Sequence, residues 1–196
     1  MPARRAARGL RLPLLAVVLL LGIGAPAGMA AEQGTTRARI LDQLLANLKT
    51  AADARQAAAL EHDIRTLWAA EATPAVRLLV ARAERELLRG EAAAAAADFD
   101  AALALQPELA DLWRQRADAR FAAGDDRGAL ADLGAALQRE PRDFAALQDL
   151  AQMAAARGHW KAALAAWQSL LAIDPHTPEA EDRLQYLRRR AFGEPA

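Results

Sequence analysis

Three stretches decide the reading: GEAAAAAADFDAALALQP at 90–107, GDDRGALADLGAALQREP at 124–141 and GHWKAALAAWQSLLAIDP at 158–175. They align without a gap, each 34 residues after the last. Gly90, Gly124 and Gly158 form one column, and Pro107, Pro141 and Pro175 another. Between them run the small residues Ala95, Ala129 and Ala163, the bulky Phe99, Leu133 and Trp167, and then Leu103, Leu137 and Leu171. Glycine suits a chain reversal between two helices, where positive φ is needed. The small residue lets two helices approach closely, and the bulky residue four positions later lies on the same face. Proline ends the second helix by removing an amide that a continuing helix would use. Each unit is therefore helix, turn, helix. One such unit cannot bury its own apolar face, so the units must stack.

These columns resemble the tetratricopeptide repeat, whose pattern pairs an aromatic and Leu-Gly in the first helix with Ala-x-x-x-Phe and a proline in the second half. Ala95, Phe99 and Pro107 fit it directly, as do Trp113, Ala129, Leu133 and Pro141 in the next unit. The third unit has Leu147, Leu150, Ala151, Ala163, Trp167 and Pro175. The chain departs from the pattern in the first helices. The glycine is replaced by Ala83, Ala117 and Ala151, the tyrosine by Glu86, Arg120 and Ala154, and the leucine by Arg82 and Arg116 in two units. The resemblance covers 76–109, 110–143 and 144–177 within a region 74–177. It implies an all-α solenoid of stacked antiparallel helix pairs.

The resemblance also implies a concave surface, lined by first helices, that holds an extended peptide or a partner helix. Its inward positions correspond to Arg77, Val80, Glu84 and Leu87; Asp111, Arg114, Asp118 and Phe121; and Ala145, Gln148, Gln152 and Ala155. Family members that grip a chaperone's terminal carboxylate use Lys and Asn at the second and third of these positions. Here stand Val80/Glu84, Arg114/Asp118 and Gln148/Gln152, so that clamp is absent. Arg114 and Asp118 are also spaced to pair on their own helix. The second helices are expected on the outer surface, where a change such as Arg139→Ala should be nearly neutral for partner capture.

Residues 31–73 read as a degenerate helix pair capping the N-terminal end of the array. Leu41, Leu44, Leu45 and Leu48 share one helical face, and Leu60, Ile64, Leu67 and Trp68 another. Leu60 and Ile64 reach the core columns only if the repeat register slips by one residue. Thr73-Pro74 marks the start of the next helix. Residues 178–196 form a solvating C-terminal cap with a frayed tail, Thr177-Pro178 reading as its N-cap and first residue.

Residues 1–30 have the pattern of a secretory signal peptide: Arg4, Arg5, Arg8 and Arg11, an apolar core around Leu14–Leu21, and Gly28-Met29-Ala30 before the expected cut. The alternative is a retained membrane anchor at 12–31, which is uncharged for 20 residues. Either way the basic end stays inside and the remainder crosses the inner membrane, so the expected location is periplasmic. The whole chain balances 25 basic against 25 acidic residues, and losing the four arginines leaves a weakly acidic protein. Such a protein carries no electrostatic footprint for nucleic acid, and after cleavage nothing is expected to insert in a membrane.

Chemistry is sparse. With no Cys there is no disulfide, thiolate metal site or cysteine nucleophile. His62, His159 and His176 are spread along the chain and read as surface residues. Ser169 has no arranged partners, and no phosphate loop or metal motif occurs. Asp98/Asp100 and Asp125/Asp126 suggest paired carboxylates, but Asp125 and Asp126 follow Gly124 and suit a helix N-terminus. Trp113 and Trp167 fall on core columns, whereas Trp160 does not. The expected function is a non-catalytic, cofactor-free interaction scaffold or assembly factor of the bacterial envelope, with a protein or peptide partner. The alternative is a membrane-anchored structural subunit.

Overall fold

The computed structural model describes the backbone of residues 27–193 and the side chains of 34–193. Among the described residues are nine α-helices and no strand. They are α1 (Ala27–Lys49), α2 (Ala54–Ala69), α3 (Pro74–Leu88), α4 (Ala92–Leu105), α5 (Ala110–Ala122), α6 (Asp126–Arg139), α7 (Phe144–Ala156), α8 (Trp160–Ile173) and α9 (Ala180–Phe192). The chain divides into two compact units, Met1–Arg37 and Ala38–Ala196, and the second carries every repeat helix. The export segment, the alternative anchor and the last three residues of the tail lie wholly or largely outside the described residues. No helix among the described residues is long and apolar enough to cross a membrane.

The three repeats are the pairs α3/α4, α5/α6 and α7/α8, each packed on the next. One turn, used three times, sets this geometry. Gly90, Gly124 and Gly158 have φ of +77°, +86° and +73°. At each, the following amide donates to the carbonyl five residues back: Glu91 to Glu86, Asp125 to Arg120 and His159 to Ala154, all at 2.8 Å. The glycine amide donates in turn to the carbonyl three residues back, at 2.9–3.0 Å, and the two hydrogen bonds satisfy the last carbonyls of the first helix and turn the chain into the second. Ala95, Ala129 and Ala163 are fully buried, facing the small residues Ala83, Ala117 and Ala151 of the first helices. Phe99, Leu133 and Trp167 are buried in the same phase. Thr73 caps α3, with Pro74 in its first turn, and Asp125 caps α6 by accepting the Gly128 amide at 2.9 Å.

The arginines that replace the family's leucine are explained by what lies 16 residues on. Arg82 grips the buried Asp98 through both Nε and Nη2. Arg116 does the same to Asp132, at 2.8 and 2.6 Å. In the third repeat the two positions are Leu150 and Ala166, so an apolar pair stands where the others have an ion pair. Asp98 and Asp100 are thus not an acid/base pair. Asp98 belongs to this buried bridge, and Asp100 meets Arg116 at 2.6 Å.

The N-terminal helices do not simply extend the stack beyond the first repeat. Leu45, Leu48, Ala57 and Ile64 share one core cluster with Phe144, Leu147 and Ala151 of α7 and Trp167 and Leu170 of α8. Trp68 lies 5.6 Å from the Phe144 ring, and the Arg65 guanidinium sits 5.0 Å over it. Arg142 reaches Asp42 at 2.6 Å. His176, expected at the surface, is half-buried with Nε2 2.8 Å from the Ala51 carbonyl oxygen. His62 and His159 are exposed.

This placement leaves the leading face of the first repeat open. Leu78 on α3 is 74% exposed, whereas Leu112 and Ala146, at the same register position of α5 and α7, are 2% and 0% exposed. At the other end Thr177 does not cap α9, which begins at Ala180 behind Glu179. The Thr177 hydroxyl instead closes the preceding turn on the Asp174 carbonyl and carboxylate, both at 3.0 Å. Leu187 of α9 is fully buried in the same cluster as Trp167, whose indole N–H donates to the Ala180 carbonyl at 3.1 Å.

Candidate functional site

First helices stand side by side in a stack, so the same positions of successive repeats fall in one row. That row forms two adjoining cavities, of about 330 and 380 Å³. Val80, Glu84 and Asp111 line both, Arg77 the first only, and Leu87, Arg114, Asp118 and Ala145 the second only. The structure therefore brings together eight of the twelve inward positions. The other four stand apart from these cavities. Phe121 is half-buried against the cluster of Ala117, Ala129 and Met153, with Arg157 5.8 Å from its ring, so it serves packing. Ala155, like Ala145, packs against the cluster that holds α1 and α2 side chains. Gln148 and Gln152 line neither cavity.

Arg114 is the centre of the second cavity. It donates to Asp111 at 2.8 Å, Asp118 at 3.1 Å and Asp149 at 3.3 Å. Burial opposes its charge, but Asp111, Asp149 and Asp118 around it hold the guanidinium more firmly protonated than usual. One cation cannot satisfy so many acids. Burial, then the Asp149 carboxylate, pushes Asp118 up to about 7 against the pull of Arg114. Burial likewise raises Asp143 to about 6, although it caps α7 by accepting the Ala146 amide at 3.0 Å. Asp149 is raised by burial as well. The pairing of Arg114 with Asp118 is real, and it is part of a larger network that also ties α5 to α7.

Four lining residues come from the chain's N-terminal helices: Trp68 and Ala69 border both cavities, Leu41 the first and Arg65 the second. Sequence periodicity puts Trp68 on an apolar helix face and carries no signal that this face closes over α3, α5 and α7. Arg139, on a second helix, is exposed but also borders the first cavity; its Nε donates to the Pro107 carbonyl at 2.7 Å and its guanidinium lies 4.4 Å over Trp113. Trp113 is half-buried between Arg139 and Arg116, and its indole N–H donates to the same Pro107 carbonyl at 2.8 Å. Among the described residues no group of His, Cys, Asp and Glu is arranged to hold a metal ion.

No family model matches the chain. It is 31% identical over 153 residues to a TPR repeat-containing protein of Rhizobium etli, covering 78% of this chain and 75% of that one. Among solved structures it resembles the first TPR of Spaghetti bound to the HSP90 peptide SRMEEVD. The TM-score is 0.56 at 17% identity, over 60% of this chain and 93% of that one. It also resembles the Sgt2 TPR domain of Aspergillus fumigatus, with a TM-score of 0.56 at 21% identity, over 63% and 87% of the two chains. These structures share its fold of paired helices. With its three helix pairs in one 34-residue register and a relative of this likeness, the chain belongs to the tetratricopeptide repeat family.

Proposed function

We propose that this protein is a non-catalytic scaffold or assembly factor of the bacterial cell envelope that holds a peptide or helix of a protein partner in its groove. The observation that carries the reading is the row of cavities lined by first helices of all three repeats, with Leu87 and Val80 as apolar footholds among charged residues. A recessed surface with a few apolar anchors and a polar rim is the arrangement from which hot-spot contacts are built. The export pattern of residues 1–30 supports a periplasmic location.

The experiment is site-specific photo-cross-linking in living cells. A cross-linker at Ala69, which is exposed and borders both cavities, should trap a defined partner. A cross-linker at the exposed Ser169 on α8 should not. Equal trapping from both positions moves the partner off the groove. Intact mass of the envelope-derived protein should correspond to a chain starting at Ala31. Retention of residues 1–30 would favour the anchored structural subunit instead.

A further inference from the structure

Of the chain's four tryptophans, three carry a guanidinium over the ring. Trp113 has Arg116 and Arg139 at 4.7 and 4.4 Å, Trp160 has Arg190 at 4.2 Å, and Trp167 has Arg183 at 5.9 Å. Trp68 has none among the described residues, although it is half-buried and borders both groove cavities. The carboxylates around it outnumber the cations. Glu71, Glu84, Glu108, Asp111 and Glu140 line the first cavity with Arg77 and Arg139, and Asp118 and Asp143 join Glu84 and Asp111 in the second with Arg65 and Arg114. Both arginines of the first cavity are already turned to backbone, Arg77 to the Ala72 carbonyl at 2.5 Å and Arg139 to that of Pro107. Glu84 is exposed, borders both cavities and makes no hydrogen bond or ion pair among the described residues. A vacant indole, an unpaired carboxylate and a surrounding excess of acid complement a cation on an apolar stem.

We infer that the groove selects a partner segment carrying an arginine or lysine flanked by apolar residues, whose cationic head lodges beside Trp68 and Glu84. The inference rests on the groove reading above and adds the chemistry of the occupant. Two features favour this occupant over an acidic one. A carboxylate would enter beside Glu84, Glu108 and Asp111, where acids outnumber Arg77 and Arg139. Val80, Leu109 and Leu112 supply the apolar wall that a flanking leucine needs.

The test uses the full chain, labelled with nitrogen-15, and follows its four indole N–H signals, each assigned by replacing one tryptophan with phenylalanine. The probes are three blocked peptides identical except for a central Leu-Arg-Leu, Leu-Glu-Leu or Leu-Ala-Leu. The arginine peptide should shift the Trp68 signal and leave the other three in place. Its affinity should fall about tenfold in Glu84→Gln and be lost in Glu84→Lys, both retaining full helicity because Glu84 has no partner to lose. It should also weaken as salt is raised from about 0.05 to 0.3 M. No shift of the Trp68 signal with the arginine peptide, or an unchanged response in Glu84→Lys, overturns the inference. A response to the glutamate peptide at Trp68 overturns it too, while leaving the groove itself as a binding surface. The groove reading falls separately, if cross-linking from Ala69 and Ser169 is equal.

Discussion

The first and third repeats share one register and bury it differently. In the first, Arg82 grips Asp98 across the helix pair, and Leu78 on the leading face stands in water. In the third, the bridge positions are Leu150 and Ala166, and α7 and α8 form one core with the N-terminal helices. The second repeat has the charged bridge of the first and the covered leading face of the third. The difference teaches that a repeat's internal pattern secures its own turn and close approach, while its neighbours decide what happens on its faces. Where the inner positions are apolar, as at Ala145 and Ala155, the chain's own α1 and α2 pack in. Where they are charged, as at Glu84, Asp111 and Arg114, a groove stays open.

The largest effect expected from breaking this comparison lies in the charged bridge of the second repeat. Asp132 is fully buried and accepts from Arg116 and from Arg120 at 2.9 Å. Asp132→Ala leaves those guanidiniums with only the exposed Asp100 and Asp125 and should cost about 3–5 kcal/mol in urea unfolding. Arg116→Leu with Asp132→Ala copies the third repeat and should recover at least half of that loss, because an apolar pair asks for no compensation. If the double variant is as unstable as the single one, the bridge is not interchangeable with the Leu150/Ala166 pair. Next comes Leu112, packed with Val76, Ala102 and Leu103 at the junction of the first two repeats. Leu112→Ala should cost about 2–5 kcal/mol by the same measurement.

A smaller effect should follow pH. Asp118 at about 7 and Asp143 at about 6 are both raised from 3.8 in the fold, so the folded chain binds protons more tightly than the unfolded one. Their contribution to stability is full below about pH 4 and is lost as pH rises through 6 and 7. The melting temperature should therefore fall between about pH 4 and 7, and Asp118→Asn should flatten that slope. Asp98 acts in the opposite sense. The hydrogen bond from Arg82 holds it below the ordinary carboxylate range, so its contribution is lost only as pH falls through that lowered value. A slope that rises between about pH 4 and 7 would mean that Arg114 satisfies its carboxylates fully. The smallest effect belongs to the open face, where Leu78→Ala should change unfolding by no more than about 0.5 kcal/mol. A loss comparable with that of Leu112→Ala would show that something covers this face.

Much of the fold was legible in the chain, and so was part of the groove. The glycine, alanine and aromatic columns are local devices: a turn that needs positive φ, a methyl that permits close approach and a bulky residue four positions on. The inward row was legible through the family's register, and eight of its twelve positions meet at the cavities. Phe121 could not be assigned that way, because a half-buried ring at an inward position can still pack on Met153 of the next repeat. His176 was misplaced for the same reason, since it takes its role from the Ala51 carbonyl far away in sequence.

Residue order alone was enough for the class of the molecule: helices in pairs, three of the pairs in a 34-residue register, with a turn at Gly90, Gly124 and Gly158. Those features depend on contacts within about one repeat, whose spacing is written in the order of residues. Long-range packing, in contrast, sets α2 against α7 and α8, brings Trp68 and Arg65 to the groove, and gives Arg114 carboxylates on two helices. An amphipathic helix declares that it must bury one face, and its periodicity carries no information about which of several apolar surfaces will receive it. That choice is made by the burial of α1 and α2 against the apolar third repeat, a contact between residues some 80–100 positions apart.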